Sequence, residues 1–207
     1  MQTYSPTLKL SLPDSFTGAA PDDWKTVADI TADAFRDDPV TRWVFGTPNG
    51  IRSAFRVFAR TLYCKHGISY LADGNTGATM WLPPGVSSDM DIRAQLFLAA
   101  GVLRHGSKGA LKRATIAGGI MAKHHPKIPH MYLFTIGVTE AGRGKGLGRR
   151  LLAPMLAACD DAQLPIYLEN SNPVNHGFYA SQGFERQTIF AAGPDGPPLE
   201  AMLRAPR

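Results

Sequence analysis

Seven consecutive residues, Arg143-Gly144-Lys145-Gly146-Leu147-Gly148-Arg149, set three glycines among three cations where an apolar run gives way to a helical pattern. The first turn of a helix carries unpaired N–H groups and about half a positive charge, so anions bind there readily. To wrap a diphosphate, the backbone must lack side chains where the ligand approaches, which is the use of Gly144, Gly146 and Gly148. Arg143, Lys145 and Arg149 can then supply charge-assisted hydrogen bonds to phosphate oxygens. Two common phosphate signatures fail on spacing. No Ser or Thr follows Lys145 as a P-loop requires, and the alternate-position glycines, with Asp160 and Asp161 too near, do not match a dinucleotide fingerprint. Taken by itself, the turn also admits a plain reading as tight strand-to-helix packing with a solvated basic face.

The elements around the turn follow from periodicity. "HMYLFTIGV" before it is a continuous apolar run, as expected of a strand buried on both faces. A helix is expected over 144–161, then the strand "PIYLEN" and the short helix "PVNHGFYASQ", closed by Gly183. Strand, helix and strand from 130 to 170 imply a parallel pair with a right-handed crossover, with the glycine turn at the carboxyl end of its first strand, where α/β sheets collect ligands. Upstream, "TLKLSL" (7–12) alternates like an opening strand, and 22–35 repeats apolar residues at helical spacing until Asp37-Asp38-Pro39 stops it. A second helix is expected over 51–65, ended by Gly67. "ISYLAD" and "ATMWLP" flank "GNTG" as a hairpin; 90–125 reads as two helices broken by glycines; "FERQTIFAA" and "PPLEAMLRA" form a closing hairpin through "GPDG". Pro154 falls inside the helix after the turn, where it removes a backbone donor.

Composition bounds the function. A chain of 207 residues with 44% apolar and 19% charged residues suits one well-buried domain. No apolar run approaches the roughly 18 residues of a membrane span, and the first residues lack the layout of a signal peptide. Cys64 and Cys159 sit in apolar helical patterns and read as buried reduced thiols, which fits a cytoplasmic location. The net charge of +5 points to anionic partners. Aromatic residues are not interleaved with the basic stretch 104–150, so a nucleic-acid platform is not expected.

The pattern [Q/R]-x-x-G-x-[G/A], carried by Arg143, Gly146 and Gly148, resembles the acetyl-CoA site of the GCN5-related N-acetyltransferases. The strand before it, the helix after it and a second block, "YLENSNPVNHGFYASQGF" (167–184), strengthen that resemblance, which covers about 131–190 closely. "AFRDDP" and "WLPPG" are similar to the branch that includes puromycin acetyltransferase-like enzymes. The resemblance implies a single α+β domain over 1–207. Its mixed central sheet would have about seven strands, a parallel pair splayed at the coenzyme site and helices on both faces. A helical insertion would span about 88–126 and a coenzyme-binding core about 130–190. Implied coenzyme contacts are the backbone of Ile136, Gly137 and Val138, the turn from Arg143 through Gly144, Lys145, Gly146, Leu147 and Gly148 to Arg149, and Asn172, Phe178 and Tyr179. Gly137 is expected to allow the bulge that opens the strand pair.

The resemblance gives Tyr179 the role of the acid that protonates the departing thiolate, since an ordinary phenol is neutral at pH 7; an ordinary core tyrosine is the alternative. An alkyl ammonium must lose a proton before it attacks, and Glu169, ending its strand, is the candidate base. A carboxylate that only attracts the ammonium, or caps backbone, is the alternative there. Asp37 and Asp38 can attract the same amine or simply stop a helix. Asn172 before Pro173 is a good helix cap as well as a pantetheine contact. The basic residues of the insertion read as a solvated face or as cover for the bound ligands. His124 and His125 diverge on a helix and His130 lies beyond two prolines, so no zinc set is expected. The expected activity is acetyl transfer from acetyl-CoA to a primary amine of a small molecule by direct attack. A protein N-terminus or lysine is the alternative acceptor, and a non-catalytic CoA-binding module the alternative class. No metal, nucleic-acid or membrane partner is expected, and monomer and homodimer both remain open.

Overall fold

The computed structural model describes residues 8–72 and 74–207. Strands β1 (Phe16–Gly18), β2 (Ile68–Ala72), β3 (Gly77–Leu82), β4 (Met131–Val138), β5 (Ile166–Asn170), β6 (Glu185–Ala191) and β7 (Pro198–Arg204) form one sheet in the order β1-β2-β3-β4-β5-β7-β6. Among the described residues only β4 and β5 run parallel; the other neighbours are antiparallel. The connection between the parallel strands is helix α7 (Leu147–Asp161), as the apolar run and the following helical period require.

Helices cover both faces. Above one face lie α1 (Trp24–Ala34), α2 (Pro39–Phe45), α3 (Pro48–Phe58) and the insertion helices α5 (Ile92–His105) and α6 (Ala110–His124), packed on Ala78, Met80, Leu82, Tyr132 and Tyr167. After Phe58 the α3 helix runs on through a π-type stretch, Ala59–Tyr63, into the single turn α4 (Cys64–His66). Beneath the other face lie α7 and α8 (His176–Ser181), packed on Phe16, Tyr70, Trp81, Met131, Leu133, Ile166 and Leu168. Consecutive residues such as Leu133 and Tyr132 therefore join different cores, so β4 is buried from both sides.

Three sequence expectations change. Residues 8–12 form no strand, and Thr7 lies outside the described residues. Leu8, Leu10 and Leu12 instead lay one side of an irregular segment on the core beneath the sheet, and the first strand is Phe16–Gly18. Pro39 does more than stop α1: it opens α2, with Asp38 as the cap whose carboxylate accepts from Thr41 N–H at 2.9 Å. A proline fits there because the first helical position needs no N–H.

The third change concerns the bulge in β4. The register to β3 slips between Thr135, paired with Met80, and Leu133, paired with Trp81, so the extra residue is Phe134 rather than Gly137. A one-residue slip exchanges the faces of everything beyond it. Leu133 packs beneath the sheet, and past the bulge Ile136 and Val138 do too. Gly137 has a different task. A Cβ on it would stand 2.9 Å from Thr31 Cα and 3.1 Å from Ala34 Cβ, so its bare α-carbon lets α1 press onto the strand.

Pro154 is buried within α7, where its ring crowds the preceding turn. The Tyr70 hydroxyl donates a hydrogen bond to the Leu151 carbonyl of that turn. This gives the disturbed helix a side-chain donor from β2.

Candidate active site

The coenzyme-type turn begins where β4 ends. A short 3-10 turn, Glu140–Gly142, leads into Gly144 at φ +73° and Gly146 at φ +70°, and α7 starts at Leu147. Both φ values lie in the left-handed region that L-residues avoid. A Cβ on either glycine would meet no heavy atom within 4 Å, so both face open space. Arg143 N–H bonds to Glu140 O and Arg149 N–H to Gly146 O. Among the described residues no protein acceptor takes the N–H of Gly144, Lys145, Gly146, Leu147 or Gly148. Five amides at the positive end of a helix 15 residues long thus remain available to an anion. Lys145 folds back so that its ammonium donates to Ala141 O at 2.9 Å, while Arg143 faces the adjoining cleft.

That cleft, of about 390 Å³, runs from Arg143 and Gly148 past Ile136 and Val138 to Asn172, Phe178 and Tyr179, with Asp37 and Asp38 on its far wall. Its length follows from the parting of the parallel strands. The β4–β5 ladder holds only Met131–Ile166, Tyr132–Tyr167 and Leu133–Leu168. Beyond the bulge, among the described residues, no strand pairs with the β5-facing edge of β4. Of the residues expected to meet the coenzyme, Ile136, Val138, Arg143, Gly148, Asn172, Phe178 and Tyr179 line this cleft, while Gly144, Lys145, Gly146, Leu147 and Arg149 do not and Gly137 packs under α1.

Beyond the gap, Asn172 caps the turn Pro173–Asn175 by accepting from Val174 N–H at 3.2 Å. Phe178 seats on the first turn of α7, where a Cβ on Gly148 would stand 3.3 Å from its ring. Tyr179 is 8% exposed, its ring edge-on to Phe178 and Phe184. Burial first, and the Asp38 charge second, push its phenol well above the ordinary value and keep it protonated. Glu200 on β7 fixes the entry to α8 by gathering Asn170, His176 and Arg186.

The acidic candidates separate. Asp37 is exposed and pairs with Arg36 at 3.2 Å. Asp38 is buried, and burial raises its carboxyl above the usual range, against the opposing pull of Ser171 and Thr41. Ser171 Oγ–H donates to it at 2.5 Å, tying α2 to the loop after β5.

Glu169 does not line the Tyr179 cleft. It follows the last β4–β5 pair at Leu168, and as the β5 neighbour of alternating side-chain direction it shares Tyr167's face, above the sheet. Its side chain is 2% exposed; no hydrogen bond of normal geometry closes on either carboxylate oxygen, and the Tyr132 and Tyr167 hydroxyls are the donors that approach it.

Sequence reasoning missed what surrounds Glu169. His125 Nδ1 lies 3.7 Å from Glu169 Oε1, and His125 Nε2 lies 3.0 Å from His130 Nε2. Tyr63, Tyr132 and Tyr167 complete the chamber; burial, then the Glu169 charge, raises all three phenols. The separation of His124 and His125 is as expected, since His124 stacks on Phe190 at 3.9 Å. The convergence of His125 with His130 across two prolines left no periodic signal. Among the described residues no group of three or more His, Cys, Asp or Glu is placed to hold a metal. Cys64 and Cys159 are free and buried, with thiols pushed up by burial to about 11 and about 12. Among the described residues no helix is long and apolar enough to cross a membrane.

The fold and sequence have known relatives. An uncharacterised N-acetyltransferase of Schizosaccharomyces pombe is 28% identical over 201 residues, covering 89% of this chain and 80% of the relative. A Corynebacterium glutamicum structure described as histone acetyltransferase HPA2 and related acetyltransferase superposes with a TM-score of 0.68 at 25% identity, covering 93% and 96% of the two chains. Arylalkylamine N-acetyltransferase 2 of Aedes aegypti shares the fold at a TM-score of 0.65 and 14% identity, covering 93% and 98%. The acetyltransferase (GNAT) family matches residues 80–184, from β3 through the glycine turn to the end of the Tyr179 block. The family match covers half of the chain, and the chain is an acyltransferase belonging to the GNAT family.

Proposed function

We propose that the enzyme transfers an acetyl group from acetyl-CoA to a primary amine of a small molecule, by direct attack and without a covalent enzyme intermediate. The observation that carries this reading is the run of open amides from Gly144 to Gly148 at the head of the Tyr179 cleft. Those amides, with Arg143 and Arg149, fit the diphosphate of acetyl-CoA. The unpaired edge of β4 near Ile136 and Val138 suits the pantetheine arm and the acyl carbonyl. Tyr179, held protonated by burial, is the acid for the departing sulfur. Asp38, on the cleft wall, is placed to attract the acceptor's ammonium, whereas Glu169, just past the last β4–β5 pair and buried away from the cleft, can act as the base only through an intervening group. A cytoplasmic location and the puromycin-type branch accord with the sequence.

Free-thiol release from acetyl-CoA across alkylamines, arylalkylamines, aminonucleosides and N-terminal or lysyl peptides tests the reading. A small amine should be fastest. Tyr179→Phe should lower kcat by about 10²-fold or more with acetyl-CoA affinity within twofold. Loss of affinity with normal turnover contradicts the acid role, and thiol release only with peptides contradicts the small-molecule acceptor.

A further inference from the structure

The positive charge of the chain is concentrated in one stretch. From Ile92 to Thr139 the sequence holds seven Lys or Arg and no Asp or Glu. The remainder holds 15 Lys or Arg against 17 Asp or Glu, so the net charge of +5 comes from this stretch. One of the seven is used internally: Arg113 donates to Ser107 Oγ at 2.6 Å and to Lys108 O at 3.0 Å. The other six, Arg93, Arg104, Lys108, Lys112, Lys123 and Lys127, are exposed. Among the described residues none of the six pairs with a carboxylate, whereas Arg36, Arg52, Arg56, Arg186 and Arg204 elsewhere do.

The same stretch carries exposed apolar side chains. Ile92, Leu96, Phe97 and Leu103 of α5 are between 59% and 72% exposed. Helical spacing sorts α5 into lines. Ile92, Leu96, Ala99 and Leu103 follow one line, and Arg93, Phe97, Ala100 and Arg104 the line beside it. Ala94 and Val102 form the buried side. Outward, α5 thus shows an apolar strip with a guanidinium at each end of its flank.

Water solvates the cations but not the strip, and an apolar patch rimmed by polar groups marks an interaction site. A second copy of the chain would bring two sets of unpaired cations together, which charge opposes. A partner with negative charge over an apolar layer matches both features, and a leaflet containing acidic phospholipid is built that way. A fluid leaflet also moulds to a convex helix, whereas a protein partner needs a matching acidic groove. Apolar side chains enter the acyl boundary while the Arg stems lie along it with their heads among the phosphates. The 14 residues of α5 suit a helix lying in the interface and are too few to span it. The expectation of no membrane partner rested on the lack of a span, and a surface contact needs none.

We propose that the outward face of α5, with the unpaired basic residues of the insertion, docks the enzyme on anionic lipid surfaces. The contact is peripheral and reversible. None of these residues lines the Tyr179 cleft, so docking and catalysis can be altered separately.

Co-sedimentation of the full chain with vesicles tests this, using phosphatidylcholine alone and phosphatidylcholine with about one-third phosphatidylserine. Wild type should bind the anionic vesicles at least about tenfold more tightly than the neutral ones, and added salt should weaken that binding. Leu96→Gln with Leu103→Gln removes the apolar part; Arg93→Gln with Arg104→Gln removes the charge beside it. Each pair should lower binding at least about tenfold, with thermal melting as in wild type because all four side chains are exposed. The wild-type comparison of the two lipids decides by itself if a variant melts early. Binding to neither vesicle, or equally to both, overturns the proposal. Wild-type binding by the leucine pair also overturns it, since the cations alone would then be a solvated face that collects any polyanion. Binding to polyglutamate as tight as to the anionic vesicles assigns the face to an acidic protein and overturns it. So does a dimer in light scattering that the leucine pair dissolves while vesicles are ignored.

Discussion

Gly146→Ala separates the two uses of the glycine turn. Gly146 sits at φ +70°, and an added Cβ meets no protein atom within 4 Å. The folded state therefore suffers only the left-handed penalty, about 1–2 kcal/mol, or roughly 3–6 °C in Tm for a chain of this size. The methyl stands in the open space before the amides, where a diphosphate must approach. Affinity for acetyl-CoA should fall at least about tenfold, or about 1.4 kcal/mol. Gly146→Asn is the control for strain, since Asn tolerates the left-handed region better; it should be more stable than the Ala variant yet bind no better. Calorimetric titration gives the affinities and thermal melts give the stabilities. Acetyl-CoA binding within twofold of wild type in both variants would refute the reasoning, since a ligand cradled by these amides does not tolerate a side chain in its path.

Other expectations follow from the packing around the site. Gly137→Val should destabilise by about 1–3 kcal/mol, because α1 must lift from β4, and chemical denaturation should show it; an unchanged midpoint denies the close approach at Thr31. Tyr70→Phe should cost about 1–3 kcal/mol by taking the donor from the Leu151 carbonyl beside Pro154, and the loss should shrink when Pro154→Ala is added. Asp160 holds Arg204 through two 2.7 Å bonds, and its carboxyl is depressed first of all by that hydrogen bonding. A depressed native pKa gives stability that is whole above the unfolded value and fades as pH falls through the native one. Asp160→Ala should therefore cost about 3 kcal/mol at pH 7 and progressively less below about pH 4. An equal gap in urea melts at pH 7 and pH 3 contradicts this.

The coenzyme half of the fold was legible in the sequence because its signals are local. An apolar run, three glycines, a helical period and a second strand follow one another in β4, the turn, α7 and β5. Elsewhere, local pattern left two outcomes open. The alternation over 8–12 records one-sided burial of Leu8, Leu10 and Leu12, which an irregular segment satisfies as well as a strand does. Asp38-Pro39 reads equally as an end and as a cap with its first helical residue, and the chain uses it as a beginning. The bulge sits at Phe134 because side-chain parity must change before Ile136, and glycine is placed at 137 for the helix above. The Glu169 chamber joins residues 63, 125, 130, 132, 167 and 169 through tertiary packing, so no spacing announces it.

Amide NMR of the turn during titration with acetyl-CoA, and separately with dephosphorylated pantetheine, tests the central claim most directly. The account predicts that the N–H resonances of Gly144, Lys145, Gly146, Leu147 and Gly148 move together with the full coenzyme and stay still with the diphosphate-free arm, which shifts Ile136 and Val138 instead. Coenzyme binding that leaves those five amides unmoved would contradict it.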